Sequence, residues 1–130
     1  MTGTVTVEVA PGELIDKITI LEIKNDRIDD PAKLENVRAE LTTLASTRDA
    51  AIAKSPELDD LTARLREVNE ALWVIEDDIR DCERDSDFGP HFIELARSVY
   101  KTNDVRAALK RDINVLLGSR LVEEKSYQPY

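Results

Sequence analysis

Hydrophobic positions along the chain fall into one short alternating stretch and four longer runs with helical spacing. Val5, Val7 and Val9 alternate with Thr4, Thr6 and Glu8, which predicts a half-buried strand over residues 4–10. Such a strand needs a backbone partner: the C-terminal tail, the same strand of a second subunit, or none. Pro11-Gly12 then punctuates, and a first helix is predicted over residues 13–28. Leu14, Ile18, Leu21 and Ile28 share one face of it, while Ile20 and Ile23 lie on the opposite side, so it should be covered from two directions. The β-branched run around Ile18 and Ile20 also suits a strand, but the length and the first-turn carboxylate Glu13 favour a helix.

Asp30-Pro31 and Ser55-Pro56 repeat one start signal, a capping side chain followed by proline at the first helical position. They open helices over residues 31–54 and 56–85. The second of these carries Leu58, Leu61, Leu65, Val68, Leu72, Ile75, Ile79 and Cys82 at alternating spacings of three and four, a heptad seam. The short Ser-Pro connection predicts that these two helices pair as an antiparallel coiled-coil-like hairpin. A turn over 85–90 leads into a last helical region over 90–117, in which Thr102-Asn103-Asp104 reads either as a break or as a polar patch on one long helix. Residues 121–130 form an extended tail. The predicted fold is a single all-α domain, a helical bundle built on that hairpin, with a short N-terminal strand and the tail at its ends.

Charge narrows the function classes. The 130 residues carry a net charge of -9, which repels phosphate backbones and argues against nucleic acid as a partner. One Cys cannot form an internal disulfide, and one His with one Cys cannot close a structural zinc site. Neither a secretory leader nor a long apolar run is visible, so the expectation is a cytoplasmic protein with no membrane partner. The balance is uneven: residues 1–30 sum to -4, residues 31–88 to -7 and residues 89–130 to +2. The last helical region therefore holds the one net positive stretch.

Three polar stripes stand out. Asn69, Trp73, Glu76 and Arg80 flank the heptad seam at helical spacing, with the chain's single Trp among them. Asn103, Arg106, Lys110 and Asn114 make a second stripe, beside Arg97, Tyr100 and Asp104. In the first helix Glu22 and Asn25 interrupt an apolar arc, and Asp16 and Arg27 lie with Ile20 and Ile23 on the other side. Polar groups inside a core face must find partners, so they mark either a buried network or a site. A structural reading gives Trp73 to helix packing and leaves Glu76 and Arg80 as a surface pair. A functional reading gathers Trp73, Arg80, Arg97, Tyr100, Asn103, Arg106 and Lys110 around a small anionic ligand such as a phosphate, sugar nucleotide or carboxylate. Glu22 or Glu76 would then be the acid/base candidate. There is no Gly-rich phosphate loop and no convincing nucleophile pairing, since Cys82 sits on the seam and His91 beside a turn. Glu67 and Glu70 lack a matching second carboxylate pair, so neither a metal nor another cofactor is expected.

Pro11-Gly12-Glu13-Leu14-Ile15-Asp16-Lys17, Leu72-Trp73-Val74-Ile75-Glu76-Asp77, the segment Phe92 to Asp104 and Glu123-Glu124-Lys125-Ser126-Tyr127 together resemble a small bacterial family of uncharacterised helical proteins. The resemblance spans nearly the whole chain and brings no assigned activity. Members of that family occur near surface-polysaccharide glycosyltransferase genes, which implies an accessory role with a protein partner such as a glycosyltransferase. Two expectations follow. One is an interaction module assembling as a homodimer; the other is a binding protein or enzyme for a small anion.

Overall fold

Prolines mark where the helices begin. A computed structural model describes residues 3–130, which form α1 (Pro11–Arg27), α2 (Pro31–Ala51), α3 (Pro56–Arg84) and α4 (Pro90–Leu116). Proline at a first helical position sacrifices an N–H that has no partner there anyway. Asp30 accepts a hydrogen bond from the Ala32 amide at 3.0 Å, and Ser55 Oγ accepts one from the Leu58 amide at 3.1 Å, capping α2 and α3. The N-cap of α1, Ala10, has no such side chain. Its cap comes from across the molecule: the Gly12 amide donates to Asn114 Oδ1 of α4 at 2.7 Å. Helix α1 therefore starts at Pro11, two residues before Glu13. Helix α4 runs unbroken through Thr102–Asp104 and ends on Gly118, whose φ of +65° supports the bond from the Ser119 amide to the Asn114 carbonyl at 2.9 Å.

Helix α1 is the centre of the bundle and packs against all three other helices, while the most extensive pair is α3 with α4. The predicted hairpin of residues 31–54 with 56–85 is therefore corrected. Helix α2 packs on α1 alone, and α3 pairs instead with α4 across the turn at 85–89. The physical reason lies in the two apolar faces of α1. Its buried Ile15, Ile18, Leu21 and Ile23 require cover on both sides, so α1 lies where the hairpin would have closed. The heptad seam of α3 is spent on α1 and α4: Leu58 and Leu65 form one buried cluster with Ile15, Leu109 and Ile113.

The strand predicted over 4–10 is also corrected. Among the described residues there is no strand. Val5, Val7 and Val9 stand 90%, 71% and 48% exposed. Residues 119–130 likewise carry no helix or strand. They are held by side chains, Glu124 to Arg111 at 3.1 Å and the Tyr130 hydroxyl donating to Asp104 at 2.6 Å. No helix among the described residues is long and apolar enough to cross a membrane.

Close approach of α1 to α4 depends on Gly12. A Cβ at this position would lie 2.4 Å from the Lys110 carbonyl oxygen and 2.8 Å from Asn114 Oδ1. Gly12→Ala should lower stability by about 1–3 kcal/mol, because a backbone atom cannot step aside as a side-chain end can. Urea denaturation checks this; a loss below about 0.5 kcal/mol would show that the two helices part without strain.

Candidate functional site

Asp16 lies on the stripe of α1 that carries Ile20 and Ile23, and it is 1% exposed. A carboxylate that deep must be paired and hydrogen-bonded to be tolerated. Arg106 of α4 supplies the pair in fork geometry, Nε to Oδ1 at 2.9 Å and Nη2 to Oδ2 at 2.6 Å. Asn69 of α3 donates to Asp16 Oδ1 and to Thr19 Oγ1, both at 2.9 Å, and the Thr19 hydroxyl donates to the Asp16 carbonyl at 2.7 Å. One buried acid thus joins three helices. The bond to Asp16 raises the Arg106 pKa beyond its usual value against an opposing effect of burial.

Directly over this network opens a cleft of about 510 Å³ between α1, α3 and α4. Ile20, Ile23, Leu72 and Trp73 make its apolar walls, and Asn69 and Arg106 its floor. Asn103, Glu76, Asp77 and Arg80 line the remainder. Helix geometry sets the order. Trp73 follows Asn69 by one turn of α3, and Glu76, Asp77 and Arg80 occupy the next turns, about 1.5 Å per residue along the axis.

Five sequence-selected residues, Trp73, Arg80, Asn103, Arg106 and Glu76, meet in this cleft; the others do not. Arg97 is exposed and pairs with no acid among the described residues. Tyr100 turns toward the tail and stacks edge-on with Tyr130, ring centroids 5.2 Å apart. Glu22 faces Arg66 of α3 at 3.4 Å, away from the cleft. Lys110 is buried between Glu13 at 2.7 Å and Glu123 at 2.9 Å, one turn beyond Arg106 and level with the start of α1. The surplus of positive charge expected around the ligand is absent. Arg106 is matched by Asp16 and Arg80 by Glu76, and Asp77 adds an acid. Sequence reasoning placed Asp16 with Ile20 and Ile23, where a polar group must find a partner, but did not count it among the site residues, and it passed over Thr19.

The Lys110 pair forms a latch between α1, α4 and the tail. Burial alone would lower the Lys110 pKa, but its hydrogen bonds to Glu13 and Glu123 prevail and raise it. The Glu123 carboxyl is held below the ordinary range by the hydrogen bond from Lys110. A depressed carboxylate stabilises the fold above its unfolded pKa and loses that contribution as pH falls through its folded value; a raised ammonium does so as pH rises through its own. The latch should therefore hold across neutral pH, opening on acidification only below the ordinary glutamate range and on alkalinisation only above the ordinary lysine range. Amide NMR of residues 121–130 should show the acid transition, and Glu123→Gln should remove it. An unchanged spectrum through the acid limb would contradict the latch.

A family model described as a family of unknown function (DUF6165) matches residues 5–130. No curated protein and no solved structure matches the chain.

Proposed function

Starting from the family of unknown function DUF6165, to which the chain belongs, we propose that this protein binds a small molecule in the cleft between α1, α3 and α4. One observation carries the reading: Arg106 is clamped by a fully buried carboxylate at the floor of an open cleft, beside the only Trp. A buried ion pair is weak support for stability, since apolar residues of similar volume often serve as well. A clamp that fixes the guanidinium of a cleft-lining residue through Nε and Nη2 and does not use Nη1 suits a ligand site, where a pre-set donor costs less to engage. Trp73 and Leu72 offer an apolar face and Asn103 a further polar edge, the usual make-up of a small-ligand site. The reading is binding without assigned catalysis, because Glu22 lies outside the cleft and Glu76 is held by Arg80.

Trp73 makes the test direct, as the protein's whole indole fluorescence comes from the cleft. A metabolite library screened by Trp73 quenching should yield binders that Asn103→Ala weakens about tenfold, the loss of one well-placed hydrogen bond. Binders unaffected by Asn103→Ala, or no quenching at all, would end the proposal. The exposed alternation of Val5, Val7 and Val9 favours a second, compatible reading, in which residues 4–10 serve homodimer assembly. A monomer by sedimentation at high micromolar concentration would remove it.

A further inference from the structure

We infer that the cleft is built for an uncharged molecule bearing hydroxyl or amide groups, rather than for a phosphate or carboxylate; this rests on the cleft being a ligand site. Asp16 already occupies Nε and Nη2 of Arg106 and neutralises its charge at 2.6 Å. A second anion on the free edge of the guanidinium would find a cation whose charge Asp16 already offsets, and would be repelled by Asp16 across the width of that group. A neutral carbonyl or hydroxyl takes the same N–H without that repulsion. The rest of the cleft points the same way. Arg80 is engaged by Glu76, while Asp77 pairs with no cation among the described residues. Two lining acids against two lining bases sum to zero, and buried Asp16 beneath brings the site to minus one.

What remains available is a set of neutral-ligand contacts. The free Arg106 N–H groups and the Asn103 amide can donate, the Glu76 and Asp77 oxygens can accept, and the Trp73 ring supplies a flat surface. The donor end lies level with Asn69 and the acceptor end at Asp77, eight residues or about 12 Å apart along α3. That is the reach of two linked rings with polar groups at both ends. A nucleoside or a disaccharide carries this chemistry, with a base or a C–H face for Trp73.

Matched pairs separate charge from shape. The protein is titrated by Trp73 fluorescence with uridine against uridine 5′-monophosphate, and with maltose against maltose 1-phosphate. At least one neutral member should bind, its phosphorylated counterpart about tenfold or more weakly, and the neutral affinity should not change between low and high salt. Asp77→Asn removes a lining acid and should narrow the affinity ratio between the neutral and the phosphorylated member about threefold, a ratio in which any loss of the Asp77 acceptor falls on both members alike. Tighter binding of a phosphorylated member, weakened by salt, would overturn the neutral-ligand inference and leave the cleft as a ligand site. Failure of both pairs at millimolar concentration would remove the inference and count against the cleft itself.

Discussion

Asp16→Ala should lower the free energy of unfolding by about 3–5 kcal/mol, the cost of leaving one member of a buried ion pair without its partner. The carboxylate removed is the shared acceptor for Arg106 and Asn69, so one substitution loosens α1 from both α3 and α4. Arg106 keeps 30% of its side chain exposed toward the cleft and can recover water there, which places the expected loss at the lower end of that range. Asp16→Asn retains the shape but turns an N–H toward the guanidinium, and it should give a smaller loss of the same sign. Urea denaturation followed by circular dichroism measures both. A loss below about 1 kcal/mol for the alanine variant would mean that the network contributes no more than a surface pair.

Leu65→Ala should cost about 2–5 kcal/mol by the cavity it leaves. Leu65 is fully buried, and its neighbours Ile15, Leu109 and Ile113 belong to three different positions on α1 and α4. Helices held on both sides cannot collapse into the gap, which favours the upper part of the range. The same truncation at Leu72 should be milder, because that side chain is only half-buried at the cleft wall. Equal losses at the two positions would show that the seam buries both alike and that the cleft is not open at Leu72.

The start of each helix was readable wherever a proline followed a capping side chain, as at Pro31 and Pro56. Pro11 was harder, since its helix is capped by Asn114, far away in sequence, and no local pattern reports a partner 102 residues distant. The heptad of α3 correctly marked a buried face, but periodicity states that a face is covered and not by what. Short loops argued for α2, and the two apolar faces of α1 argued for a central helix; the second argument was the stronger. Half of the cleft was legible as well. Asn69, Trp73, Glu76 and Arg80 share a stripe by helical spacing alone, and Asn103 and Arg106 share one on α4. Tyr100 and Lys110 had the right residue types for the site, yet the tail and the first turn of α1 claim them. The place of Asp16 among isoleucines was legible, but its partners were not, because Asn69 and Arg106 lie 53 and 90 residues away.

The most direct measurement of the central claim, that the α1–α3–α4 cleft is a ligand site with Arg106 fixed at its floor, is a fragment screen read on two NMR signals. These are the Trp73 indole N–H and the Arg106 Nε–H, the latter donating to Asp16 Oδ1 at 2.9 Å. Bound fragments should move both signals together and leave the tail resonances of Tyr127 and Tyr130 in place. Fragments that shift the tail or the exposed valines at 5, 7 and 9 while Trp73 and Arg106 stay still would contradict it.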